Sequence, residues 1–166
     1  TAQQVMLAAS GSPNTHLSGL TRGDDSNYGR TGSYWPGFAF ELNAITPSRV
    51  LLGTRNGLYE SSNRGDVVAD ITPGNTDGLV TAAAYGGRSG GTANADVILA
   101  GARDELWLRT TSGGQFTQRT AYSGGRPYQI IFDPDDWHTA YVLDSSGREW
   151  RGTQIGAGAE AWVNLT

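Results

Sequence analysis

Few side chains in this sequence are equipped for covalent or metal chemistry. It has no Cys, which excludes thiolate nucleophiles, thiolate metal sites and disulfides. His16 and His138 are its only histidines. A Ser–His–Asp arrangement would need one of them to converge with a serine. No H-x-x-x-H spacing occurs. The densest run of hard oxygen ligands is Asp133-Pro134-Asp135-Asp136, and Asp24, Asp25 and Asn27 form a second group. Asp133, Asp135 and Asp136 have the donor chemistry for Ca2+, the one cofactor the sequence suggests. The same residues also build ordinary turns, with Pro fixing φ and carboxylates accepting backbone N–H groups. The turn reading is the preferred one for both groups.

Aromatic and charged residues outside apolar runs are the candidates for recognition. Tyr28, Tyr34, Trp35 and Trp137 fall in expected connections. Flat aromatic faces beside polar groups suit carbohydrate or protein surfaces. Packing is the alternative for Trp35 and the favoured reading for Trp137. Arg22 and Asp24 join Tyr28, Tyr34 and Trp35 as the candidate ligand-binding set. Arg22-Gly23-Asp24 and Arg64-Gly65-Asp66 are both RGD tripeptides. Three residues are a weak adhesion signal, and the second copy sits in a turn where Gly already has a structural task.

The elements that must position these groups are short strands. Apolar runs at 4–9, 38–42, 50–52, 57–59, 67–71, 79–85, 97–100, 106–108, 128–132, 140–143 and 149–151 are each bounded by Gly, Asn, Asp, Ser or Pro. Ala82–Ala84 is the one helix-friendly stretch, and at three residues it is too short to nucleate a helix. Gly, Thr, Ser, Asn and Pro together supply 68 of the 166 residues, and charged residues only 17%. That composition rules out a helical bundle.

Three segments, 38–71, 79–120 and 128–165, repeat one order: apolar strand, polar turn, apolar strand, turn, aromatic-bearing strand, Gly-rich loop, closing strand. Aligning the aromatic strand matches Tyr59, Trp107 and Trp150, and aligning the preceding strand matches Leu52, Leu99 and Val142. Four short strands every 40–50 residues is the period of a propeller blade. The expected fold is therefore an all-β propeller with about three four-stranded antiparallel blades plus a partial one. Residues 1–22 are expected to form the partial blade, 23–37 a long surface loop and 38–166 the three blades.

The turn after the aromatic strand carries a further resemblance. Ser61-Ser62-Asn63-Arg64-Gly65-Asp66-Val67-Val68 resembles the S/T-x-D-x-G-x-T-W turn of the Asp-box (BNR) propeller family. That family includes sialidases, sortilin-type receptors and xyloglucan-active hydrolases. Asn63 stands where Asp is expected and Val68 where Trp is expected. A second copy, Thr110–Phe116, is one residue short, with Ser112 for Asp and Phe116 for Trp. A third runs from Arg151 to Trp162 and is stretched by insertion. The resemblance implies structural turn roles for Ser61, Asn63, Gly65, Ser112, Gly114, Phe116 and Trp162. It also implies an extracellular or cell-surface setting.

Function is narrowed by exclusion and by fold. Twelve Arg and no Lys against 16 acidic residues give a net charge of −4. That is too acidic for non-specific nucleic-acid binding. No 18-residue apolar run exists to span a bilayer as a helix. Starting at Thr1, without an initiator Met, the chain reads as a piece of something longer. An arc of blades leaves apolar end faces bare, so another polypeptide or a second copy is expected to complete it. The preferred role is a non-catalytic module binding protein or glycan. A glycoside hydrolase fragment is the alternative, needing paired carboxylates or a Tyr nucleophile with an arginine triad. A structural subunit of a surface assembly is the third.

Overall fold

The computed structural model describes residues 39–54, 57–74 and 79–166. The expected partial blade and surface loop fall outside the described residues. Fourteen strands are assigned among the described residues, and none of those residues is helical.

Each repeat folds as one antiparallel meander. The first blade is β1 (Phe40–Leu42), β2 (Val50–Gly53), β3 (Leu58–Ser61) and β4 (Ala69–Asp70), paired in that order. The second begins with β5 (Val80–Tyr85). A hairpin of β6 (Arg88–Ser89) and β7 (Thr92–Ala93) follows before β8 (Ile98–Ala102), β9 (Glu105–Arg109) and β10 (Thr117–Gln118) complete the sheet. The third is β11 (Pro127–Phe132), β12 (Ala140–Asp144), β13 (Glu149–Thr153) and β14 (Ala161–Asn164). Connections between neighbouring strands are short, so sequential strands pair.

The core lies between the sheets. Because side chains alternate faces along a strand, β5 serves both its neighbours. Ala83 and Tyr85 face the first blade's Leu51 and Leu58, together with Ile98, Ala100 and Trp107. Ala82 and Ala84 join Leu99, Leu106 and Leu108 against Ile130, Phe132, Val142 and Trp150 of the third blade. All six residues of β5 are buried. Alanines let the sheets close on both sides of this strand. Hydrogen bonds cross both seams. Val80 N–H donates to the Thr54 carbonyl at 3.0 Å, and Thr81 Oγ1 donates to the Pro127 carbonyl at 2.6 Å.

One detail of the repeat is corrected by the registers. Tyr59 pairs with Leu52 and Trp150 with Val142, but Trp107 pairs with Ala100, not Leu99. Leu99 points into the opposite seam, since a one-residue slip reverses the face. The hairpin of β6 and β7 is an addition the repeat does not contain. Gly90 and Gly91, both at positive φ (55° and 79°), make its two-residue turn. It is tied to the next blade where Trp137 N–H donates to the Arg88 carbonyl at 2.8 Å.

The ends of the arc differ. On the third blade's far face Ile131, Tyr141, Leu143, Val163 and Leu165 are exposed, as expected for an uncovered blade. On the first blade Phe40 and Leu42 are exposed, whereas Leu52 and Tyr59 are buried.

Candidate functional site

The inner strands β1, β5 and β11 flank an open groove of about 600 Å3. Its floor is the alanine run of β5, small enough to leave space. Phe40 and Tyr128 stand exposed along its walls, and Gly86, Gly87 and Arg88 carry the chain over its rim. Glu41 enters from β1, half-buried. Its carboxylate has no hydrogen bond or ion pair among the described residues, and burial raises its pKa above the ordinary carboxylate value. Arg88 brings an exposed positive charge, and Asp133 lies at the same edge. Chemically, the groove offers a partly desolvated carboxylate that has no partner among the described residues.

A second constellation is buried in the seam between the first and second blades. Glu60 Oε1 accepts Arg49 Nη2 at 2.6 Å and the Tyr85 hydroxyl at 2.8 Å, while Oε2 accepts Arg109 Nη2 at 2.8 Å. Arg49 also reaches Asp96, and the Arg109 guanidinium lies 5.7 Å from the Phe116 ring centroid. Burial alone would raise the Glu60 pKa, but its arginine and tyrosine donors hold it below the ordinary value. Burial, with the Glu60 charge beside it, pushes the Tyr85 hydroxyl far up. These are the residue types a tyrosine-nucleophile glycosidase uses. Here Tyr85 is 7% exposed, Arg109 is 2% exposed, and both donate to Glu60. The cluster ties two blades together.

The expected turn residues have defined partners. Ser61 Oγ accepts the N–H groups of Asn63 and Gly65, and Asn63 Oδ1 accepts Val67 N–H at 3.0 Å and the Ser61 hydroxyl at 2.9 Å. Gly65 has φ of 92°, a region where a β-carbon is costly. In the second turn Gly114 N–H donates to the Thr111 carbonyl, and Ser112 N–H caps Asp96. Phe116 packs on the first seam. Trp162 packs on the second, 5.3 Å from the Tyr122 ring, with its indole N–H on Glu160.

Asp133 Oδ1 accepts the N–H groups of Asp135 and Asp136, and Asp136 Oδ1 accepts that of His138. Among the described residues no three His, Cys, Asp or Glu side chains converge to hold a metal ion. The acidic run is wound around its own backbone, so its carboxylates do not gather on one point. Trp137 is half-buried, packs against the second seam and stacks on His138 with centroids 3.8 Å apart. Arg22, Asp24, Tyr28, Tyr34 and Trp35 lie outside the described residues.

Glu41, Arg88 and Tyr128 were not singled out by sequence. One Glu inside an apolar run reads as an outward-facing strand residue, and only the neighbouring inner strands make its surroundings a groove. Asp144 was likewise hidden in a Ser/Gly turn. The carboxylate is 1% exposed and accepts four N–H groups, from Gly125, Ser146, Arg148 and the Trp150 indole.

No protein-family profile matches the chain, and no curated protein matches its sequence. Solved structures do match. An ancestral GH74 enzyme superposes with a TM-score of 0.57 at 18% identity, over 75% of this chain and 18% of that one. The Kuenenia stuttgartiensis hydrazine synthase gives 0.55 at 15% identity, over 88% of this chain and 38% of that one. YCF48 bound to D1 peptide gives 0.52 at 14% identity, over 75% and 40%. The likeness is one of fold: the sheets are blades of a β-propeller. The chain spans well under half the length of these structures.

Proposed function

We propose that the chain is a non-catalytic β-propeller interaction module, extracellular or at the cell surface, whose inner-strand groove binds a basic segment of a partner protein. The observation that carries this reading is Glu41. A half-buried carboxylate without a partner among the described residues is destabilised by lost hydration, and an incoming Arg or Lys restores what burial removed. Tyr128, exposed on β11, can offer such a cation an aromatic face. One similar propeller, YCF48, was solved with a peptide bound. The Ser61–Val68 turn is read as a degenerate Asp-box with a scaffold role. The arc works with another polypeptide or a second copy, and the bare third blade supports that part of the proposal.

The test is selection of ligands by the whole chain from a peptide library and a glycan array. Peptides retained should be enriched in Arg or Lys. Glu41→Gln should weaken them about tenfold or more, the scale of one charge-assisted contact, and Tyr128→Ala should weaken them to a smaller extent. Retention of glycans alone would overturn the reading. So would hydrolysis of a fluorogenic glycoside that is lost in Glu41→Gln, which would promote the hydrolase alternative.

A further inference from the structure

The far face of the third blade is not built like the two faces that receive a blade. The strand registers make the comparison residue by residue. Gly53, Gly101 and Leu143 are the second-strand residues paired with the position just before the third-strand aromatic. A β-carbon on Gly53 would lie 3.3 Å from the Val80 carbonyl of the next blade, and one on Gly101 would lie 2.5 Å from Pro127 Cβ. In both seams the arriving inner strand is seated directly on a glycine. Leu143 puts a whole side chain in that place. The third-strand partners change as well: Leu58 and Leu106, both 0% exposed, correspond to Glu149. Glu60 and Leu108 correspond to Arg151. A blade arriving at the spacing of the two seams would meet Leu143 in its path and would bury Glu149.

The same face is complementary to itself. Its side chains form two rows across the strands: Ile131, Tyr141, Arg151 and Val163 in one, and Gln129, Leu143, Glu149 and Leu165 in the other. The five apolar members of these rows are 37–54% exposed, and a depression of about 200 Å3 runs between the rows over β11 and β12. Consider a two-fold axis lying in this face, perpendicular to the strands and midway between the rows. It brings each row over the other row of the second copy. Arg151 then meets Glu149, Tyr141 meets Leu143 and Val163 meets Leu165, each pair formed twice. Neither Glu149 nor Arg151 has a side-chain partner among the described residues, so both charges are available.

We propose that this face pairs with the same face of a second copy of the chain, in an isologous dimer and not in a closing ring. The proposal sharpens the partner part of the functional reading and is independent of the groove's ligand. Four strands about 4.8 Å apart, each contributing about five residues of about 3.4 Å, give a projected footprint of about 300 Å2. That is well below the about 800 Å2 per partner of a standard interface. The pairing is therefore weak and depends on concentration.

Sedimentation equilibrium of the 166-residue chain between about 10 μM and 1 mM tests it, a range that brackets weak association. The mass should climb from 17.6 kDa toward twice that value. Arg151→Glu and Glu149→Arg each set like charges opposite one another and should weaken association at least about tenfold. The double variant E149R/R151E restores opposite charges and should recover it. All these positions are on the surface, and circular dichroism checks that the variants fold. A chain that stays monomeric at 1 mM overturns the proposal. Unchanged association in Arg151→Glu overturns it too, as does a double variant that remains as weak as the singles. The groove reading is scored separately, by peptide binding to Arg151→Glu: binding that persists in this variant leaves the groove reading standing whatever happens to the dimer.

Discussion

Replacing Asp144 by Asn removes one charge and alters two hydrogen bonds at the strand turn that anchors the third blade. In the native chain Oδ1 accepts the N–H groups of Ser146 and Arg148 at 2.8 and 3.0 Å. Oδ2 accepts Gly125 N–H and the Trp150 indole N–H, both at 2.9 Å. Asn can keep the first pair through its carbonyl. Its amide nitrogen then points hydrogens at two further donors, and both lose their acceptor. Each such loss costs about 1–3 kcal/mol, so Asp144→Asn should cost about 2–6 kcal/mol at pH 7. For a chain of this size that lowers Tm by about 4–24 °C.

The pH dependence is the sharper part of the prediction. Burial would raise the Asp144 pKa, but the donors from Gly125, Arg148, Trp150 and Ser146 outweigh it and hold the value at about 2, against 3.8 for a free side chain. A carboxyl depressed by that much on folding contributes about 2 kcal/mol. The sign follows from which state binds the proton more tightly. Above about pH 5 both states are ionised and the contribution is complete. As the pH falls through 3.8 toward 2 the unfolded chain takes up the proton first, and the contribution disappears. Urea denaturation followed by circular dichroism from pH 7 to pH 2 should show the gap between native chain and Asp144→Asn narrowing by about 2 kcal/mol over that interval. A gap that is constant with pH, or below about 1 kcal/mol at neutral pH, would refute the assignment of Asp144 as the blade's hydrogen-bond hub.

The other predictions concern the first seam and the first turn. Glu60→Gln leaves Arg109 buried without its countercharge and should destabilise the chain by about 3–5 kcal/mol. Tyr85→Phe removes one neutral donor from the same cluster and should cost about 1 kcal/mol. Equal losses in urea melts of the two variants would show that Glu60 is not the centre of that network. Asn63→Ala should cost about 1 kcal/mol through the lost Val67 and Ser61 bonds. Asn63→Asp should be within about 0.5 kcal/mol of the native chain, because the retained Oδ1 makes both of those bonds. A large loss in Asn63→Asp would mean that the Asn63 side-chain nitrogen is used after all.

The propeller was legible because its determinants are local and repeated. Short apolar runs punctuated by Gly, Asp and Asn give strands of the right length, and the recurring aromatic strand fixes the blade period. What failed to show was set by contacts between repeats. The slip at Leu99 arose because β8 is apolar on both faces, so its composition could not say whether Leu99 or Ala100 opposes Trp107. The β6–β7 hairpin stayed hidden because Arg-Ser and Thr-Ala carry no strand pattern, and it is pinned by the backbone of Arg88 against Trp137. The groove escaped for a different reason. Glu41, Arg88 and Tyr128 sit on three separate elements, β1, β6 and β11, 87 positions apart at the extremes, and nothing in their own neighbourhoods sets them apart. The position held by Glu60 shows the same limit. Its counterparts are Leu108 in the second seam and Arg151 on the open face. One site in the repeat thus serves as buried ion pair, apolar packing or exposed charge according to what lies across from it. Local sequence determines that a strand forms there, and the neighbouring sheet determines what the residue does.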